Sequence, residues 1–207
     1  MFVDQAGQKH YVARRSKAED FGKLLYALAV SCGLQRARQL VVLGDGAVWI
    51  WRLAAEHFPE AVQIVDFFHA CQHLGAYAEA RFGAETPDGT AWQKARQVEL
   101  KDNRMDLVLR EILAWKPTNA QRKKLRKNTY DYFYVNAERM RYRTFLEKGY
   151  HIGSGVVEAS CKQIVAQRLD QVGMHWRQET AEAIVTLRAA HCSSVVPDLR
   201  AHCAVPA

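Results

Sequence analysis

The sequence predicts an α/β fold built on parallel strands, and three observations carry that prediction. An apolar run at 40–43 ends in Gly44-Asp45-Gly46, and a helical pattern with Trp49 and Trp51 follows. A second apolar run at 61–65 ends in Asp66, and another helical pattern with His69, Cys71 and His73 follows. Short β-branched runs bounded by turn residues read as buried strands, and strand–helix–strand at this spacing implies a parallel pair with a crossover helix. Ligands of such sheets gather beyond the carboxyl ends of the strands, where both aspartates stand. That position suits metal and phosphate chemistry.

The other elements follow in chain order. Phe2-Val3 and the apolar residues from His10 to Ala13 flank a polar turn and read as a hairpin or its remnant. Ser16-Lys17-Ala18-Glu19 has the form of a capping box, with Ser16 as N-cap. The helix it opens should run to about Cys32, with Phe21, Leu24, Leu25, Leu28 and Ala29 on one face and Gly33 as its stop. Pro59 closes the helix that follows Asp45 and returns the chain to the sheet. Beyond Gly75 the alternation of strand and helix ceases. A polar loop is expected at 83–90, then a helix from Trp92 to Trp115 with Val98, Met105, Leu109 and Leu113 as core positions. Residues 121–127 form the densest positive run in the chain, and Tyr130, Tyr132, Phe133 and Tyr134 follow it. Gly153-Ser154-Gly155 should launch a helix with Val157, Cys161, Ile164, Val165 and Leu169 at apolar spacing, ending at Gly173. A last helix is expected at 178–190, and the tail from Ser193 has no pattern. The expected organisation is a sheet-containing core at 1–75, an all-helical insertion at 76–150, the C-terminal core helices at 151–192 and an irregular tail at 193–207.

At 207 residues the chain is long enough for one domain with a substantial core, and its 49% hydrophobic and 25% charged content is that of an ordinary globular protein. The net charge of +7, with a pI near 9.2, permits a polyanionic partner. No apolar run reaches the length of a membrane span, and the first residues lack the basic-then-apolar layout of a signal peptide. The five scattered cysteines include no CxxC pair and read as reduced thiols of a cytoplasmic protein.

Each candidate residue also has a simpler structural reading. Asp45 between two glycines is first a turn residue that caps a helix, although the glycines leave room for a ligand to approach the backbone. Asp66 can be an N-cap and His69 a satisfied buried histidine. A zinc site from Asp66, His69, Cys71 and His73 is disfavoured, because Cys71 points elsewhere on the helix and no second cluster supplies the remaining ligand. Glu158 is a first-turn carboxylate favoured by the helix dipole. Arg122, Lys123, Lys124, Arg126 and Lys127 form a solvated helix face or, with their aromatic neighbours and Arg139, Arg141 and Arg143, a set of phosphate contacts. Lys162 and Arg168 follow Glu158 on its helix and could meet phosphate, or Lys162 could pair with Glu158.

Taken together, LGDGAVWIW, FPEAVQIVDFFHACQHL and GSGVVEASCKQIVAQRLDQVGMHW resemble the core of bacterial insertion-sequence transposases of the ISKra type, relatives of the Mutator-like DDE transposases. The resemblance runs from about Tyr11 to Cys192. It implies an RNase H-like fold in which two aspartates and a glutamate hold two divalent metal ions, Mg²⁺ or Mn²⁺. Asp45 matches the second catalytic aspartate and Glu158 the third carboxylate, on a helix beyond an all-helical insertion. Asp66 and His69 match a signature of Cys or Asp, two residues, then His. The implied reaction is DNA strand cleavage and strand transfer, in-line displacements at phosphorus that two metal ions roughly 3.5–4 Å apart can promote. Hard cations select oxygen ligands, so carboxylates should be the anchors.

The chain departs from that pattern at its start. The family's first aspartate lies on the first strand, whereas only 44 residues precede Asp45, and Asp4 is the only acidic residue before Glu19. The expectation is therefore an RNase H-like mixed sheet flanked by helices, incomplete at its N-terminal strands, in a truncated and inactive copy of a transposase. Its partners would be transposon ends and target DNA, and an intact relative would assemble as a homo-oligomer in the bacterial cytoplasm, associated with the nucleoid. The alternative is a non-catalytic DNA-binding or oligomerisation remnant, and a third reading is a nuclease that hydrolyses without joining.

Overall fold

A parallel strand pair with a helical crossover stands where the apolar runs and glycines place it. The structure is a computed structural model, and it describes residues 1–155, 159, 161–169 and 174–193. Strands β3 (Val41–Gly44) and β4 (Val62–Val65) pair in parallel, with Val41 opposite Val62 and Gly44 opposite Val65. Helix α2 (Val48–His57) connects them. Two shorter strands, β1 (Phe2–Val3) and β2 (Lys9–His10), form a separate antiparallel hairpin.

Outside these strands and their loops the described chain is mostly helical, and this overturns the expected RNase H-like mixed sheet. Among the described residues, β1 and β2 pair only with each other, and β3 and β4 only with each other. The stretch between the hairpin and β3 forms helix α1 (Ala18–Ser31), so it supplies no further strand to the parallel pair. Two strands of four residues cannot bury a core face by themselves. Helices do that here.

The chain divides into two compact units. One comprises Met1–Leu40, Ala55–Glu60 and the chain from Gly155 onward. Its hairpin turn is tied by Asp4, whose Oδ1 accepts from the backbone N–H groups of Ala6 and Gln8, both at 2.9 Å. The expected capping box does not form: Lys17, not Ser16, is the N-cap of α1, and it makes no side-chain cap bond. Gly33 does stop the helix, in the left-handed region at φ +90°. A π-helical segment (Lys162–Ala166) runs into one helical turn (Gln167–Leu169), and helix α8 (Gln178–Cys192) follows. Arg14 reaches Glu182 at 3.0 Å, and Tyr11 N–H donates to Ser193 Oγ at 3.0 Å, binding α8 to the residues after the hairpin.

The other unit comprises Val41–Ala54 and Ala61–Ser154. It contains β3, β4, the first turns of α2, and helices α3 (Phe67–Phe82), α4 (Pro87–Lys101), α5 (Met105–Ala114), α6 (Ala120–Val135) and α7 (Tyr142–Glu147). Its core joins Ile64 and Val65 of β4 to Leu74 and Tyr77 of α3, Trp92 and Leu100 of α4, Val108 and Ile112 of α5, Phe133 of α6, and Tyr142 of α7. Residues 83–114 differ from expectation at two points. Thr86 caps α4 by accepting from Gly89 N–H, with Pro87 in the first turn, so the expected loop at 83–90 ends at Thr86 and its second half is helix. Asn103, at φ +62°, then breaks the expected single helix into α4 and α5. Of the expected core positions, Met105 and Leu109 pack against the core, whereas Val98 and Leu113 are exposed and Leu100, Val108 and Ile112 are buried in it.

Candidate functional site

The register of β3 and β4 brings Asp45 and Asp66 side by side. Gly44 opposes Val65, and each strand's next residue is one of the two aspartates. Asp66 N–H donates to Gly44 carbonyl at 2.7 Å and extends the ladder to this position. The two carboxyl groups then meet different surroundings.

Asp66 is buried, at 3% exposure, and its carboxylate is engaged by backbone. Oδ1 accepts from His69 N–H at 2.9 Å, the bond of an N-cap on α3, and Oδ2 accepts from Ser154 N–H. Phe67 N–H donates to Ile152 carbonyl at 2.8 Å, so the loop at 152–154 is laced to the junction of β4 and α3. Gly153 lets this loop lie directly against the Phe68 ring. A Cβ at this position would lie 2.6 Å from the ring of Phe68.

Asp45 is exposed, and its Oδ1 accepts from Ala47 N–H at 2.9 Å in the turn before α2. Tyr132 of α6 holds the same turn from the other side, its Oη donating to Asp45 carbonyl at 3.0 Å. Gly46 allows this approach: it has φ +96°, and a Cβ would lie 2.7 Å from the Tyr132 ring. Tyr132 also stacks on His73, with centroids 3.9 Å apart and planes at 23°. His73 in turn meets His69 edge-on at 5.0 Å, as expected for rings one helical turn apart. Burial lowers the proton affinity of His73, and neighbouring His69 lowers it further, against the pull of Asp45. Burial, with the Asp45 and Asp66 carboxylates, raises the Tyr132 hydroxyl far above the ordinary phenol range.

Tyr132 and His73 are the site residues that sequence reasoning missed. The aromatic run 130–134 and the His69/His73 spacing were visible, but nothing in the sequence reveals that α6 crosses the end of β3. Cys71 is buried, and burial, then neighbouring Asp66, raises its thiol to about 11.

These residues do not by themselves complete a cage for Mg²⁺ or Mn²⁺. Hard divalent cations need several oxygen ligands. Asp66 already accepts two backbone N–H groups, Asp45 leaves one oxygen without a hydrogen bond from the described residues, and no group of three or more His, Cys, Asp or Glu among the described residues could hold a metal ion. Glu158, the other expected metal ligand, lies outside the described residues. Asp4 spends its carboxylate in the hairpin turn and faces His10 Nε2 at 3.1 Å.

The basic run lies on the first half of α6. Arg122, Lys123 and Lys124 are exposed. Arg126 instead donates to Trp115 carbonyl at 2.9 Å, and Lys127 is paired with Asp131. Lys162 is exposed in the π-helical segment of the other unit, and the side chain of Arg168 lies outside the described residues. Arg139 is structural: its Nε donates to Gln63 Oε1 at 2.8 Å and its guanidinium sits 4.9 Å from the Trp51 ring. No helix among the described residues is long and apolar enough to cross a membrane. No protein-family model, curated protein or solved structure matches the chain.

Proposed function

We propose that the chain is the core of a DDE-type transposase of an insertion sequence, acting on DNA by metal-dependent phosphodiester cleavage and strand transfer. The observation that carries this reading is the pairing of Asp45 and Asp66 at neighbouring ends of parallel strands, in the register Gly44–Val65. Helix α6 supports it, because one element carries both an exposed basic run and the tyrosine that holds the Asp45 turn. Lys124 precedes Tyr132 by eight residues, about 12 Å along a helix, a distance that a nucleic-acid backbone spans in two or three phosphates.

In this reading Asp45 and Glu158 are the metal ligands, with Mg²⁺ or Mn²⁺ as cofactor, and Asp66 and His69 act in support. Asp66 fixes the end of β4, the start of α3 and, through Ser154 N–H, the loop at 152–154. Arg122, Lys123 and Lys124 would meet backbone phosphates, and Lys162 and Arg168 are further candidates for such contacts. The backbone commitment of Asp66 favours a second reading, a non-catalytic DNA-binding remnant that needs no metal.

Incubation of the purified chain with duplexes of the flanking element ends, with Mg²⁺ or with a chelator, separates the two. Mg²⁺-dependent nicked or joined products that vanish in Asp45→Asn are expected of the transposase. Binding that is unchanged by the chelator, with no products at any metal concentration, would leave the remnant reading in its place.

A further inference from the structure

We infer that the mouth of this site is built to hold unpaired DNA bases by stacking, with Trp49 as the principal platform and Phe68 as the second. The inference rests on the proposed action on DNA and specifies the form of DNA that the site takes.

Both aspartates are followed, in the first turn of the next helix, by an aromatic ring left open to solvent. Trp49 is 47% exposed and Phe68 58%, with Val48 beside Trp49 at 61%. Within α2 the contrast is sharp: Trp51, only two residues from Trp49, is 7% exposed and buried with Trp92, Tyr77 and Tyr142, although Tyr134 of α6 is also open to solvent, at 62%. Helix α2 therefore had a core-facing position for tryptophan and filled it with Trp51. Trp49 serves no packing need of comparable size.

The surroundings select the occupant. Arg52 is exposed one turn after Trp49, on the same side of the helix. Exposed Asp45 stands four residues before Trp49, and Tyr132 links this turn to the basic helix α6. A second protein copy covering Trp49 would have to desolvate Asp45 and Arg52 together, which is costly without matched counter-charges. An unpaired nucleotide avoids that cost. Its base lies flat on an indole, its phosphates reach cations, and the groove stays wet. Paired bases expose no face for this contact, so the platform discriminates single strands, or frayed duplex ends, from intact duplex.

The test is binding of a labelled single-stranded oligonucleotide and of a closed hairpin duplex across a range of salt, without metal. Trp49→Ala should weaken single-strand binding about tenfold, the effect of losing one stacked base. It should leave duplex binding and the salt slope unchanged. Phe68→Ala should do the same to a smaller extent, and Trp49→Phe should restore most of the affinity. Thermal unfolding of each variant at the wild-type midpoint shows that the exposed ring is not needed for folding. Equal loss on both DNA forms, or no loss on the single strand, overturns the inference, as does failure of the wild type to bind DNA. A protein that shows the single-strand effect but never cuts DNA in Mg²⁺ retains the platform and loses the transposase reading. The two proposals thus fail separately.

Discussion

At the residue scale, the Asp45 turn depends on a glycine, a tyrosine and a histidine that meet from three elements. Gly46 has φ +96° and lies against Tyr132, so Gly46→Ala meets both backbone strain and a clash. A loss of about 1–3 kcal/mol is expected, read as a lower urea midpoint at unchanged m-value. Tyr142 presents the opposite case. Its hydroxyl is buried with no hydrogen-bond partner among the described residues, and burial, reinforced by neighbouring Tyr132, Cys71 and Asp66, holds it protonated. Removing an unsatisfied buried donor costs no bond, so Tyr142→Phe should leave stability unchanged or raise it by up to about 1 kcal/mol. His73 makes stability depend on pH. Its folded pKa lies below the ordinary value of 6.5, so below that value the unfolded chain binds the proton first. Its contribution is therefore intact above about pH 6.5 and declines as pH falls toward the lowered folded value. Comparing urea midpoints at pH 8 and pH 5.5 should show this fall in wild type and a smaller one in His73→Phe.

At the element scale, short polar signals decide where helices start and stop. Thr86 caps α4 and Asn103 ends it. The Asn103 side chain donates to Thr144 Oγ1 at 2.8 Å and accepts from Arg143 N–H at 3.0 Å, so the break between α4 and α5 is also the anchor of α7. Asn103→Ala loses both bonds and keeps the left-handed backbone, and should cost about 2 kcal/mol in thermal or urea unfolding. Asn103→Gly, which relieves only the backbone, should cost less. The expected helix from Trp92 to Trp115 failed because an apolar count carries its phase across such a break. Beyond Asn103 the buried stripe runs through Val108 and Ile112, with Met105 and Leu109 at its margin and Leu113 exposed.

For the whole molecule, the distribution of charge matters more than its sum. The net +7 is spread over both units, but the exposed triplet Arg122, Lys123 and Lys124 sits on the helix that also holds the Asp45 turn. Replacing all three by glutamine should lower the slope of log binding constant against log salt by about three, if each meets one phosphate. It should weaken all DNA sequences alike. Arg126 and Lys127 should contribute less, because they are already bonded to Trp115 and Asp131.

By itself the sequence determined the local pieces. β-branched runs closed by Gly44-Asp45-Gly46 and by Asp66 suffice for two short strands, a crossover and hence their parallel pairing, because four-residue apolar runs and turn glycines act over a few residues. The stop at Gly33 was legible for the same reason. What surrounds the pair was decided by the tertiary structure. The expected mixed sheet needed further strands, and the chain instead covers Ile64 and Val65 with helices from distant segments, a choice made by total buried area and not by any local propensity. The two aspartates look alike in sequence, yet one is buried under Ser154 and His69 N–H groups and the other is open beside Tyr132, 87 residues away. Burial and hydrogen bonding set a carboxylate's role, and both come from residues that only folding brings near.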